Sequence, residues 1–209
     1  MVHILCIGDS HIPRRARDIP NQIYNKLEEL TNRTLFDYTL FTGDIIKSPE
    51  LIEFLNSKTS KNFFLVMGNM DYYYGNPDVP IYQELEILCV NEDILRIGLT
   101  HGAQIKPRGD HMQLENLAIE RNYKLLVSGH THKEEIFLTR NGILLVNPGS
   151  VTGAWSFVAS GNPSFIELDI DANNNIINAN LFQLNKNLNE VNEFKSKFIL
   201  KRNRIQSIE

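Results

Sequence analysis

Short polar stretches follow apolar runs at five separate points of this 209-residue chain. Each stretch stands where a predicted strand stops, and they are Asp9-Ser10-His11, Gly43-Asp44, Gly68-Asn69-Met70-Asp71, Thr100-His101-Gly102 and Gly129-His130-Thr131-His132. In a wound α/β sheet the carboxyl ends of parallel strands meet at one edge, and ligand sites form there. The pattern therefore predicts an α/β fold whose functional site lies along that edge.

A strand, a polar strand end and a helix or loop follow one another three times in the first half. Periodicity predicts strands over residues 1–7, 38–42 and 63–67, the last of them buried, and helices over 20–30 and from Ser48 onward. Asp18 is predicted to cap the first helix, and Pro49 to open the second. The aromatic stretch 72–77 is predicted to be an irregular loop, either structural or leaning over the site.

Beyond Pro80 the pattern changes to mostly antiparallel strands, which are expected to form a second sheet stacked on the first. A strand over 94–99 and a helix over 112–121, capped by Asp110, precede two predicted hairpins. The first joins 136–139 to 143–146 through a two-residue turn at Asn141-Gly142, and the second joins 165–170 to 176–184.

The segment 185–209 fits two patterns equally well. Leu188, Val191, Phe194 and Phe198 would share one helical face, but residues 194–199 could also form a closing strand. We expect one domain over 1–184, with 185–209 as an extension packed on it or trailing from it.

Composition excludes several classes of protein. A net charge of -4 and a pI near 5.9 argue against a nucleic-acid surface. The apolar amino-terminal run is too short for a signal peptide, and no run is long enough to insert into a bilayer. Cys6 and Cys89 both lie inside apolar runs and cannot build an oxidised framework, so a cytoplasmic location is expected.

Seven strand-end side chains form the candidate site, namely Asp9, His11, Asp44, Asn69, His101, His130 and His132. Imidazole, carboxylate and amide ligands together suit Mn, Fe, Zn, Ni or Co, whereas Ca and Mg sites use oxygen almost alone. In an extended segment the two histidines of Gly129-His130-Thr131-His132 would project to one side, serving one ion or two adjacent ions. Seven ligands are too many for one tetrahedral ion but suit two ions that share a carboxylate.

Two divalent ions about 3.5 to 4 Å apart can hold a water between them and lower its pKa. They also clamp the oxygens of a phosphoryl group during in-line attack. The seven residues therefore predict metal-dependent hydrolysis of a phosphate ester.

Together the five motifs resemble those of the calcineurin-like metallophosphoesterases, and the resemblance covers residues 1 to about 184. The stretches 8–13, 128–133 and 147–154 are most similar to the small bacterial and archaeal phosphodiesterases and to the smallest retromer subunit, a phosphoesterase-like scaffold.

This resemblance implies a two-sheet β-sandwich flanked by helices, in the layer order α/β/β/α, and two divalent ions, with Mn expected first. It implies that Asp9, His11 and His132 hold one ion. The same likeness assigns Asn69, His101 and His130 to the other ion and makes Asp44 the bridge.

One position departs from the family pattern. Many active members carry a histidine after the Gly-Asn pair, where this chain has Met70. A thioether cannot donate a proton, so a general-acid contribution of roughly 10² to 10⁴-fold is missing or supplied elsewhere. Diesters with good leaving groups, or modest turnover, are then favoured. His111 and Arg14 are the nearest substitutes, as acid and phosphate anchor, unless both are ordinary surface residues.

The complete ligand set favours an enzyme that hydrolyses a small phosphodiester. The alternative is a scaffold with a vestigial or weakly active metal site, docked on an α-solenoid coat partner as the retromer subunit is. Lys106 and Glu167 are charged where that subunit tends to present apolar side chains. Burying these charges against an apolar partner would cost desolvation energy, which disfavours the scaffold.

Overall fold

The computed structural model describes residues 1–74, 78–90 and 93–208, which form two β-sheets and four helices. The helices are α1 (Asn21–Thr31), α2 (Pro49–Ser57), α3 (Asn69–Tyr73) and α4 (His111–Glu120). The strands are β1 (Val2–Ile7), β2 (Phe36–Phe41), β3 (Thr59–Leu65), β4 (Tyr82–Leu88), β5 (Ile94–Thr100), β6 (Leu125–Ser128), β7 (Glu134–Leu138), β8 (Leu144–Pro148), β9 (Ser164–Asp171), β10 (Ile176–Asn185), β11 (Glu190–Lys201) and β12 (Arg204–Ser207).

The first sheet has seven strands in the order β12-β11-β10-β9-β1-β2-β3. Strands β1, β2 and β3 are parallel, as predicted, and β9 to β12 continue the sheet with antiparallel pairing. The expectation that the later strands all build a second sheet was therefore wrong for β9 to β12. Strand β1 can form hydrogen bonds along both of its edges, so β9 joins the first sheet through it. Ile4 of β1 pairs with Tyr38 of β2 on one side and with Leu168 of β9 on the other.

The second sheet has five strands in the order β4-β5-β6-β8-β7. Strands β5, β6 and β8 are parallel, and β4 and β7 close the edges with antiparallel pairing. Strand β4 was not predicted from the sequence. The β7–β8 turn also differs from prediction, because Thr139 and Ile143 pair around a three-residue loop with Gly142 in the left-handed region (φ 79°).

Three buried clusters define the layers. The largest lies between the two sheets and joins inward residues such as Ile4 and Ile166 to Leu125 and Val146. A second fills the space between the first sheet and the pair α1 and α2, and a third lies between α4 and the second sheet. The predicted α/β/β/α sandwich is confirmed. Burial of apolar surface in these clusters is the main favourable term that holds the sheets and helices together.

Several local predictions need correction. Residues 63–65 lie in the edge strand β3 and are only partly buried, because nothing pairs with the outer side of β3 in the described sheet. Helix α1 starts after Pro20 without a side-chain cap, and Asp18 accepts a hydrogen bond from the neighbouring Ile19 N–H instead. Of the aromatic stretch, Tyr72 and Tyr73 end α3 rather than lying in a loop, whereas 75–77 lie outside the described residues.

Other local predictions are confirmed. Pro49 occupies the first turn of α2, and the Asp110 side chain accepts a hydrogen bond of 2.9 Å from the Gln113 N–H at the start of α4. Residues 190–201 form strand β11, which pairs with β10. Of the two alternatives for this segment, the strand is confirmed and the helix is wrong. Among the described residues no helix is long and apolar enough to cross a bilayer.

Candidate metal centre

The seven predicted ligands come together where the parallel strands of both sheets end. Asp9 and His11 follow β1, Asp44 follows β2, and Asn69 begins α3 after β3. On the other sheet, His101 follows β5, and the segment with the two histidines follows β6. Both sheets therefore contribute to one centre, which is built from segments that directly follow strand ends.

Four of these residues form a first, fully buried group. The Nε2 atoms of His11 and His132 are 3.0 Å apart. Asp44 Oδ2 lies 3.3 Å from His11 Nε2, and Asp9 Oδ1 lies 3.3 Å from His132 Nε2. Ligand atoms of all four residues lie within 4.8 Å of one another, which is the spacing expected around one metal ion.

The remaining three residues form a second group beside the first. His101 Nε2 lies 3.1 Å from Asn69 Oδ1 and 3.1 Å from His130 Nδ1. The same nitrogen is 3.7 Å from Asp44 Oδ2. A single oxygen of Asp44 thus faces both groups.

The backbone of the centre is unusual, because five of the seven residues adopt positive φ. The angles are 49° at Asp9, 50° at His11, 57° at Asp44, 68° at His130 and 59° at His132. Non-glycine residues in this region cost roughly 1–3 kcal/mol each and concentrate at functional sites. The expected extended conformation of the Gly129–His132 segment was therefore wrong. The left-handed turns send His130 to the second group and His132 to the first.

Asp71 holds the part of this strained backbone around Asp44 in place, although no role was predicted for it from the sequence. Its buried carboxylate accepts hydrogen bonds from the Asp44 N–H (2.7 Å), the Gly68 N–H (2.9 Å) and the Ile46 N–H (2.9 Å). The position was visible as the last residue of the Gly68–Asp71 motif, but no spacing rule reveals that its partners are backbone amides.

Hydrogen bonds to backbone carbonyls fix the tautomers of two histidines. His101 Nδ1–H donates to the Thr42 carbonyl at 2.8 Å, and His132 Nδ1–H donates to the Ala154 carbonyl at 2.9 Å. A neutral ring that is bonded in this way directs its Nε2 lone pair into the centre. Metal-binding histidines are oriented by this kind of bond.

The neighbourhood of Asp9 is equally constrained. Its Oδ2 accepts the His130 N–H at 2.9 Å, and its carbonyl accepts the Ser150 hydroxyl at 2.7 Å. A side chain at Gly129 would place its Cβ 2.5 Å from Asp9 Oδ2, so only glycine lets the strand end approach this closely.

Burial and neighbouring charges shift the titration of these groups. Burial lowers the pKa of His11 to about 3 and that of His130 to about 4, so both imidazoles are neutral at neutral pH. Burial raises the pKa of Asp44 to about 6. Burial would also raise the pKa of Asp9, but the adjacent His132, His101 and His11 lower it to about 2. Neutral imidazoles and ionised carboxylates are the forms that bind metal.

The donor set fits a divalent cation. Asp9 Oδ1 and His11 Nδ1 are buried without a hydrogen-bond partner among the described residues. An unpartnered buried carboxylate oxygen is costly unless an ion or water satisfies it. Because Asp9 Oδ1 faces the Nε2 atoms of His11 and His132, a cation between them would satisfy this oxygen and both nitrogens at once.

The residues proposed as substitutes for the missing family histidine are engaged with other side chains. His111 contacts Glu135 (Nε2 to Oε2, 2.7 Å) and stacks on Phe137, whereas the Arg14 guanidinium lies over the Tyr74 ring at 4.7 Å. The Met70 N–H donates to Asp44 Oδ1 at 2.7 Å, so this residue supports the centre through its backbone.

Two arginines that were not predicted from the sequence contact the backbone beside the centre. Arg15 Nη1 donates to the Trp155 carbonyl at 2.9 Å, and its charge contributes to lowering the pKa of His11. Arg108 Nη1 donates to the His130 carbonyl at 3.3 Å. Both guanidinium groups add positive potential beside the two histidine groups.

Comparisons with known proteins match the sequence of this chain to a protein family. The model of the calcineurin-like phosphoesterase superfamily domain matches residues 2–173. A probable metallophosphoesterase of Methanothermobacter thermautotrophicus is 36% identical over 146 residues, which are 70% of this chain and 75% of that protein.

Solved structures show the same fold. Vacuolar Protein Sorting 29 from Cryptosporidium parvum is 31% identical, with a TM-score of 0.80 over 95% of this chain and 98% of its own. Wild-type Vps29 of Entamoeba histolytica complexed with Zn²⁺ is 27% identical, with a TM-score of 0.78 over 94% of this chain and 99% of its own.

Proposed function

Because this chain belongs to the calcineurin-like phosphoesterase superfamily, we propose that its centre binds two divalent metal ions and hydrolyses phosphodiesters. Asp9, His11 and His132 hold one ion in this proposal. Asn69, His101 and His130 hold the other, and Asp44 bridges the two. Mn²⁺ is the first candidate, with Ni²⁺, Zn²⁺, Fe²⁺ and Co²⁺ suited to the same ligands.

The position of Asp44 is the single observation that carries this proposal. Its Oδ2 lies 3.3 Å from His11 Nε2 of the first group and 3.7 Å from His101 Nε2 of the second. Its other oxygen is held by the Met70 N–H, which fixes the orientation of the carboxylate. One carboxylate oxygen between two sets of imidazoles is the arrangement that a shared ligand requires.

The bound ions would activate water and polarise the phosphoryl oxygens. The chain itself orients the ligands through Asp71, Thr42 and Ala154, and it supplies positive charge for the phosphate from Arg15 and Arg108. The position of the family histidine holds Met70, which has no side-chain proton to give. The centre therefore suits diesters whose leaving group departs without protonation.

Hydrolysis of bis(4-nitrophenyl) phosphate with added Mn²⁺ or Ni²⁺ tests the proposal. We expect metal-dependent turnover that Asp44→Ala and His130→Ala each reduce by more than roughly 100-fold, since losing even an outer-shell partner costs 10 to 100-fold. His3→Ala is the matched control, because His3 pairs with Asp169 outside the centre. Turnover that is independent of metal, or unchanged in both variants, would exclude this mechanism.

The structural similarity to Vps29 proteins supports a second candidate, a protein-interaction scaffold that docks on an α-solenoid coat partner. Vps29 of Chaetomium thermophilum, 26% identical, has been solved in complex with a cyclic peptide. In this chain Glu167 is half-buried on the outer face of β9, and Lys106 is exposed. Both charges disfavour an apolar partner. Capture of an α-solenoid coat protein at micromolar concentration, together with absent turnover, would favour the scaffold.

A cytoplasmic location is part of this proposal. It rests on Cys6 and Cys89, which are both buried as free thiols, as is usual in reducing compartments.

A further inference from the structure

Two large aromatic side chains stand exposed next to the metal centre. Trp155 is 65% exposed and Phe157 is 87% exposed, and their rings meet edge to face with centroids 4.8 Å apart. Aromatic side chains usually stabilise a protein by being buried, so an exposed pair whose rings contact each other contributes little to the stability of the fold. Such a pair is suited to cover a flat apolar ligand.

The segment that carries this pair is fixed to the metal centre. Trp155 directly follows Ala154, whose carbonyl orients His132 and whose N–H donates to the Ser150 hydroxyl at 2.9 Å. Arg15 holds the Trp155 carbonyl, and the Ser156 hydroxyl donates to the Thr131 carbonyl. Both neighbours of Trp155 are thus bonded to the ligand segment 130–132. The exposed rings are therefore carried by a backbone that is anchored to the centre.

We propose that Trp155 and Phe157 form an aromatic subsite for a flat ring, such as a nucleobase, in one ester arm of the substrate. This inference rests on the proposed function and specifies its substrate class. With the phosphate at the metal centre and near Arg15, the arm on that side extends over Trp155. Stacking of a base on an aromatic side chain does not depend on which base is present. The subsite therefore selects for ring-bearing arms over alkyl or sugar arms.

Trp155 is the only tryptophan of the chain and so reports on its own subsite. In the presence of Zn²⁺, with excitation at 295 nm, we expect adenosine 5′-monophosphate to quench the tryptophan fluorescence saturably. Ribose 5-phosphate, which has the phosphate but no base, should leave the emission nearly unchanged. Phe157→Leu should weaken the apparent affinity for the nucleotide roughly 2- to 10-fold. Phe194→Leu, at an exposed aromatic residue of β11 away from the centre, is the matched control.

Kinetics provide a second readout. With bis(4-nitrophenyl) phosphate, Trp155→Leu should raise KM roughly 5- to 100-fold, with a smaller effect on kcat, and Trp155→Phe should restore most of the loss. Equal quenching of the Trp155 fluorescence by adenosine 5′-monophosphate and ribose 5-phosphate, or no quenching by either compound, would overturn the inference. The exposed aromatic pair would then be explained by contact with a macromolecule.

The phosphodiesterase proposal and the aromatic-subsite proposal can be refuted independently. If wild-type turnover is metal-dependent but Trp155→Leu leaves KM unchanged, the aromatic subsite is wrong and the phosphodiesterase stands. If the nucleotide quenches Trp155 while no metal-dependent turnover exists, ring binding stands and the phosphodiesterase is wrong.

Discussion

At the scale of single residues, this centre is a set of side chains whose directions are fixed by the backbone around them. Asp9 and His132 could not face one another without the left-handed turns at both positions. Elsewhere in the centre, the Asp71 carboxylate accepts hydrogen bonds from the backbone amides of Asp44, Ile46 and Gly68, and none of these bonds involves a predicted ligand side chain. We therefore expect residues outside the ligand set to control metal affinity.

Replacing Asp71 by asparagine tests this expectation. Asparagine keeps one acceptor oxygen but turns an NH₂ group toward backbone N–H donors, which leaves at least one buried amide unpaired. We predict that Asp71→Asn weakens Zn²⁺ binding roughly 10- to 100-fold and lowers the free energy of unfolding by about 1–3 kcal/mol. Titration calorimetry and urea unfolding measure the two effects.

Asp78→Asn is the matched control, because Asp78 is an exposed aspartate of the same region. If Asp71→Asn bound Zn²⁺ as tightly as the control, the strained backbone would not depend on this carboxylate.

At the scale of elements, strand β9 shows how one strand serves two environments. Ile166 and Leu168 point into the core between the sheets, whereas Glu167 and Asp169 lie on the opposite, outer face. Glu167 Oε2 accepts a hydrogen bond of 3.2 Å from Asn180 on the neighbouring strand β10. Burial raises the pKa of the Glu167 carboxyl, and the nearby charges of Asp169 and Glu193 add to this shift.

This raised pKa predicts a pH-dependent cost to stability. A carboxyl whose pKa is higher in the folded state favours folding at low pH, and that contribution is lost as pH rises through the folded pKa. Glu167→Gln removes the ionisation but keeps an acceptor for Asn180. We predict that the variant unfolds at a higher temperature than wild type at pH 7 and that the difference disappears near pH 4. An equal difference in unfolding temperature at pH 7 and pH 4 would show that the charge of Glu167 is not responsible.

At the scale of the whole molecule, two stacked sheets bring chemistry from distant parts of the chain to one edge. The first sheet supplies Asp9, His11 and Asp44, and the second supplies His101 and the segment after β6. Segment 190–208 extends the first sheet, and Phe198 and Ile205 enter the core between the sheets. It stays a prediction that residues 1–184 form the domain and that residues 185–209 are an extension of it.

The sequence was informative where a local rule applies and silent where the contact is long-range. Polar residues after apolar runs located the side chains of the candidate centre, because parallel strands end at a common edge. Strand order was not readable, so the pairing of β9 with β1 was missed. The roles of Asp71 and Arg15 were missed for the same reason: their partners are backbone groups that only the folded chain brings near.

The left-handed backbone at His130 and His132 was also not predictable, because histidine seldom adopts that region without tertiary constraints. The motif located side chains that come together in the fold, and the family resemblance placed His130 and His132 with different ions. Neither indicated the left-handed backbone that directs the two histidines to different groups.

Anomalous diffraction from crystals of the full chain grown with Mn²⁺ tests the central claim most directly. We predict two peaks about 3.5 to 4 Å apart, with Asp44 in contact with both. One should lie against Asp9, His11 and His132, and the other against Asn69, His101 and His130. A map with no peak at these residues, or with a single peak that leaves Asn69 and His130 unligated, would contradict the account.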